Sequence, residues 1–223
     1  RERVAGMGRV RAIGWKAGAK ALSRLRMTGV GCNASLGGPG MSTVNADNHG
    51  AGFAAAHLIM EKGRVRPVWL AGPERNAASL ARAEGFLQGL QQTRTSPIEP
   101  TRLQGDDTYD SGYEAILSLK KQGIRPDSLF ASNDMMACGA MDALREEMDL
   151  RCPDDVIMLG YDNIPQATWR SYDLTSFDQC TGKMVTRALE LLEKAFQAKD
   201  SSHSHTHIID AKLIERGSTR LPL

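Results

Sequence analysis

From about residue 50 the chain alternates between two hydrophobic periods. HGAGFAAAHLIMEKG, residues 49–63, sets Phe53, His57 and Met60 at helical spacing and stops at Gly63. RPVWLAG, residues 66–72, is a short apolar run that ends in Gly72-Pro73, as a buried strand would. Helical spacing returns over residues 76–92, where Arg82, Phe86 and Leu90 share one stripe. The cycle then repeats: TRLQG (101–105) as a weak strand, YDSGYEAILSLKKQG (109–123) as a helix, SLFAS (128–132) as a strand, and a helix to about Met148. DVIMLGY (155–161) is another strand, and an amphipathic helix runs from near Met184 to Ala198. A polar SSHSHTH loop leads to HIIDAKLIE, expected as one final strand. Strands alternating with helices in this way predict βαβ units and a parallel α/β sheet.

Four of these strand ends carry polar residues: Gly72-Pro73-Glu74-Arg75, Gly105-Asp106-Asp107, Asn133-Asp134 and Tyr161-Asp162-Asn163. Parallel strands bring such ends to one edge of a sheet. Open α/β sheets bind ligands at that edge. Helix capping is the competing explanation at Asn133-Asp134, since both side chains accept bonds from the free amides of a first helical turn.

The chain has 223 residues, enough for one large domain or two small ones. Its net charge of +2 conceals an asymmetry. Residues 1–26 hold eight basic residues and one acid, which leaves 20 basic and 25 acidic residues in the rest. A basic segment of this kind could touch nucleic acid, or be the solvated face of an amphipathic helix. The acidic body is no DNA-binding surface. Cys32, Cys138, Cys152 and Cys180 are scattered and predict free thiols in a reducing cytoplasm. No run reaches the roughly 18 apolar residues of a membrane helix. No cofactor motif is found: GGPGMST (37–43) lacks the lysine of a phosphate loop, and DDTYDSG (106–112) lacks calcium-loop spacing. His203, His205 and His207 alternate as metal ligands would, but lie in a Ser/Thr-rich loop where solvated histidines are expected. GxSxG, HExxH and paired Cys/His arrangements are all missing, so no enzyme is predicted.

The segments VNADNHGAGFAAAHLIMEKG, GPERNAASLARAEGF, FASNDMMACGAMDAL, CPDDVIMLGYDNIPQA and YDLTSFDQ resemble, in order and spacing, the effector-binding core of LacI/GalR-type bacterial transcriptional regulators. The resemblance runs from about Val30 to Arg220. It implies a periplasmic-binding-protein-like fold of type I: parallel sheets flanked by helices in two subdomains, with an effector between them. By that resemblance residues 1–47 form part of an N-terminal subdomain, incomplete here. Residues 48–178 form the C-terminal subdomain, 179–213 a return segment and 214–223 a tail.

The same resemblance assigns Arg82, Asn133 and Asp162 to effector contact. Forked arginine donors and carboxylate acceptors suit a ligand rich in hydroxyls. Asp107 stands where many members carry an aromatic that stacks on the effector. That departure favours a polar ligand, with Tyr109 the neighbouring aromatic. Arg75 belongs to the first strand end, and Asn33 is a candidate contact from the other subdomain. Met135, Cys138 and Met141 fall where dimers of the family pack, or are ordinary core residues. The implied partners are a small effector (sugar, sugar acid, polyol or nucleoside), operator DNA through a headpiece that residues 1–26 do not resemble, and a second copy of the chain. A periplasmic sugar-binding receptor of a transporter is the rival reading.

Overall fold

A computed structural model describes residues 29–33, 41–92, 98–197 and 204–220. The chain divides into two compact units. The larger comprises Asn45–Met184 and Ile208–Leu223, the smaller Arg1–Val44 and Val185–His207. Periodicity alone did not show that the last residues belong with the larger unit.

In the smaller unit and the chain passing from it, β1 (Gly29–Cys32) pairs in parallel with β2 (Met41–Ala46), and β8 (Thr206–Ile209) lies on the other side of β2. The backbone N–H of Thr43 donates to His205 O at 2.8 Å. A helix, α5 (Thr181–Gln197), leads toward β8. Of the histidine trio, His203 lies outside the described residues; His205 is exposed, and His207 Nδ1 meets Arg187 Nη2 at 3.2 Å. Residues 37–40 of the glycine-rich stretch are likewise outside them, and Met41–Thr43 begin β2.

The larger unit carries six strands in the order β4-β3-β5-β6-β7-β9. They are β3 (Pro67–Ala71), β4 (Thr101–Gln104), β5 (Ser128–Ala131), β6 (Ile157–Tyr161), β7 (Thr175–Asp178) and β9 (Lys212–Ile214). All pairings are parallel except β7 with β9. Four helices alternate with the first strands: α1 (Asn48–Glu61), α2 (Ala77–Gln92), α3 (Tyr109–Lys121) and α4 (Asp134–Met148). The expected final strand HIIDAKLIE is instead two, β8 and β9, in different sheets. The 207–215 run has apolar residues throughout, and periodicity cannot see that Asp210-Ala211 separates two strands with different neighbours.

Both faces of this sheet are buried, which explains the near-continuous apolar strands. Successive residues go to opposite sides. Trp69, Phe130, Ile157, Leu159 and Tyr161 pack with α1 and α2 residues such as Ala55, Phe86 and Leu90. Val68, Leu70, Leu129, Ala131 and Met158 pack with α3 and α4 residues such as Ile116, Leu119 and Leu144. The first face is the more aromatic, with Phe130 lying 5.1 Å from Trp69 and 5.4 Å from Phe86, centroid to centroid. Such pairs contribute about 0.5–1.5 kcal/mol each beyond area burial.

Candidate functional site

The strand order places β3 between β4 and β5, so the crossover from β3 to β4 and the next, from β4 to β5, run in opposite directions. The carboxyl ends of β3 and β5 therefore flank a topological switch point, the usual ligand crevice of an open α/β sheet. Arg82 reaches this point from α2. It is 5% exposed, and its guanidinium lies over the Tyr161 ring, 4.1 Å from the centroid. Its Nη1 donates to Asn48 Oδ1 at the start of α1, and Nη2 donates to Ser132 Oγ at 3.3 Å. Ser132 in turn donates to Ser79 Oγ at 2.8 Å, and Ser79 also accepts from Gly72 N at 3.2 Å. Both terminal nitrogens of Arg82 are thus fixed by side chains just beyond β2 and β5.

Two carboxylates complete the group. Arg82 is attracted electrostatically to both Asp162, after β6, and Asp107, after β4. Burial lowers the affinity of Arg82 for its proton and raises that of Asp107 and Asp162, which the guanidinium partly offsets. Asp162 accepts from Gln179 Nε2. The Arg82 Nε and the Tyr161 hydroxyl are buried without a hydrogen-bond partner among the described residues. One forked cation, two acceptors and a phenol at a switch point form a surface that can orient hydroxyl groups.

The capping expected at Asn133 is present in the structure. Its Oδ1 accepts from Met136 N at 2.9 Å, capping α4, and its Nδ2 donates to Asp107 O at 2.9 Å. It holds the β4 and β5 ends together and stands half-buried beside the ligand groups. Asp134, its neighbour, is buried and points away from solvent: Ser176 Oγ donates to its Oδ1 at 2.7 Å and Ile164 N to its Oδ2 at 2.9 Å. Burial pushes the Asp134 carboxyl up to about 7.

Arg82, Asp107, Asn133 and Asp162 are therefore brought together. Arg75 stands exposed on the turn before α2, and Asn33 belongs to the smaller unit, exposed after β1 with its N–H donating to Val44 O at 3.1 Å. Cys138 and Met141 correct the dimer expectation: both are buried in the larger unit's own core between α3 and α4, leaving Met135 as the exposed member. Tyr109 donates to Asp142 Oδ2 at 2.6 Å on the α3–α4 side, so its hydroxyl is committed there. The sequence reading missed Asn48, Ser79 and Ser132, and named Tyr161 only as part of a polar strand end. Asn48 sits inside VNADNHG and Ser132 directly precedes Asn133, so position at strand ends could have found both.

The model of the periplasmic binding protein-like domain matches residues 55–219. The chain belongs to the periplasmic binding protein-like domain family. Within that family its resemblances are to LacI/GalR-type effector domains. It is 32% identical over 167 residues to the HTH-type transcriptional repressor PurR of Edwardsiella ictaluri, covering 75% of this chain and 48% of that protein. The chain thus spans about half the length of the curated relatives it matches. A transcriptional regulator solved in complex with cellobiose, CelR, is 28% identical with a TM-score of 0.76, covering 88% of this chain and 60% of that one. A LacI-family regulatory protein from Chloroflexus aggregans is 26% identical with a TM-score of 0.78, covering 89% and 71%. The α/β periplasmic-binding-protein-like fold expected from the sequence is thereby shown. Among the described residues no helix is long and apolar enough to cross a membrane, and no group of three His, Cys, Asp or Glu could hold a metal.

Proposed function

We propose that this chain is the effector-sensing part of a LacI/GalR-type transcriptional repressor. It binds a small, hydroxyl-rich metabolite of the sugar class at the carboxyl edge of the six-stranded sheet. The observation that carries this reading is the buried Arg82, fixed by Asn48 and Ser132 at the switch point and flanked by Asp107 and Asp162. The cellobiose complex of a 28% identical regulator supports a sugar in particular. Reading of operator DNA is assigned to a helix-turn-helix headpiece of the parent protein, with two half-sites met by a homodimer. Effector and operator are then coupled because the effector binds one arrangement of the regulator better than another, and the coupling is reciprocal.

A thermal-shift panel of sugars, sugar acids, polyols and nucleosides tests the binding step. Ligand at about 100 times its Kd stabilises the folded state by roughly 2.7 kcal/mol. At about 2–4 °C per kcal/mol for a chain of this size, the expected rise is several degrees. Cellobiose or another neutral sugar should give it, and Asp162→Asn should remove it. A panel in which only nucleosides or nucleobases stabilise the chain would contradict the sugar assignment.

A further inference from the structure

Asp162 and Asn163 both have positive φ, 114° and 54°. Consecutive non-glycine residues in that region are costly and persist only where their surroundings hold them. Here the holding groups are specific. Asp162 N donates to Phe177 O at 2.9 Å, Asn163 N to Ser176 Oγ at 3.0 Å and Ile164 N to Asp134 Oδ2 at 2.9 Å. Three successive amides are pinned by β7 and the start of α4. A further link comes from Asn163 itself, whose Nδ2 donates to Asp178 Oδ2 at 3.1 Å and whose Oδ1 accepts from Arg216 Nη2 at 2.6 Å.

Arg216 arrives from far along the chain. Because β9 pairs antiparallel with β7, the segment after it returns beside that strand. Arg216 N donates to Thr175 Oγ1 at 2.8 Å, and the buried Ser218 hydroxyl donates to Met158 O at 2.6 Å, so this segment is tied to both β7 and β6. The second arm of the guanidinium, Nη1, donates to Leu174 O at 2.7 Å. One fork therefore spans a backbone carbonyl before β7 and a side-chain amide beside Asp162. An ammonium group is a compact point charge without that planar fork, so lysine is no equivalent.

We propose that Arg216 is a positioning residue, which acts through Asn163 to hold the Asp162 carboxylate where an effector hydroxyl would meet it. The proposal rests on the reading of Asp162 as an effector acceptor. It makes the segment after β9 part of the apparatus of the ligand edge, although it contributes no contact of its own.

The test needs no ligand. Amide hydrogen exchange across residues 161–165 and a carboxyl carbon-13 NMR titration of Asp162 are recorded for the unaltered chain and for Arg216→Lys, Arg216→Met and Asn163→Ala. Arg220→Met serves as control, since Arg220 is exposed and donates to Glu215 O at 3.2 Å. Exchange at Asn163 and Ile164 should accelerate roughly tenfold or more, and the Asp162 midpoint should move, in all three variants but not in the control. Arg216→Met added to Asn163→Ala should give little further change. Should Arg216→Met fail to fold, Arg216→Lys and Asn163→Ala carry the same comparison. Unchanged exchange and an unmoved Asp162 midpoint in those two variants would overturn the proposal, as would acceleration spread evenly over the sheet. A ligand panel without a hit would count against Asp162 as an acceptor and leave these readouts standing.

Discussion

A guanidinium as deeply buried as that of Arg82 is tolerated only where charge and hydrogen bonds compensate it. Asn48, Ser132, the Tyr161 ring, Asp107 and Asp162 supply that compensation. Arg82→Met keeps the stem but leaves two half-buried carboxylates without their cation. It should destabilise the chain by about 3 kcal/mol at pH 7 in urea unfolding, and by less as the pH falls and the acids take up protons. Asp134 makes a separate contribution. Its carboxyl binds a proton more tightly folded, at about 7, than unfolded, at 3.8. Between those values folding takes up a proton, so stability from this group falls as pH rises from about 4 to 7. The full difference is on the order of 4 kcal/mol, and Asp107 and Asp162 act with the same sign. Melts of Asp134→Asn across pH 4–8 should show a flatter decline than the unaltered chain. A parallel decline would mean that Asp134 is already ionised throughout. The placement of Arg82 and Asp162 at one sheet edge was legible because their positions match known motifs. At Asn133 capping was one of two readings, since a capping side chain and a contact residue have the same identity at a strand end, and the bond to Asp107 O was not legible.

The helices pack in two close pairs, and glycine makes each pair possible. A Cβ on Gly52 of α1 would lie 2.0 Å from Arg82 O on α2, and one on Gly85 of α2 would lie 2.0 Å from His49 O on α1. The other face repeats this: a Cβ on Gly139 of α4 would meet Tyr109 O at 2.0 Å, and one on Gly112 of α3 would meet Met136 O at 2.2 Å. These approaches are backbone to backbone, with no flexible side chain to yield. Gly85→Ala should therefore cost about 1–3 kcal/mol, as overpacking does, although alanine favours helix elsewhere. Chemical denaturation measures it, and an unchanged midpoint would contradict so close an approach. Hydrophobic periodicity predicted the four helices that cover the six-stranded sheet and most of its strands, because a doubly covered parallel sheet leaves continuous apolar runs. It was silent on pairing: the split of HIIDAKLIE between two sheets depends on neighbours more than 30 residues away, Phe177 opposite Leu213 among them.

At the scale of the molecule, α/β class and family were legible because strand–helix alternation and ordered motifs persist over most of the chain. Which side of α4 faces the core was not legible. Helical spacing puts Met135, Cys138 and Met141 near one another but cannot say which side faces the core, and the structure buries two of them. If the parent dimerises through this side of α4, Met135→Glu should shift sedimentation velocity profiles toward monomer while leaving the melting temperature nearly unchanged. Effector binding at the carboxyl edge of the six-stranded sheet is read out by an amide and arginine side-chain NMR titration with cellobiose, followed by the hits of the wider panel. Saturable shifts are expected at the Arg82 Nε–H and at the amides of Asp107, Asn133, Asp162 and Asn163. Saturable shifts that avoid these groups and gather elsewhere in the chain would contradict binding at that edge.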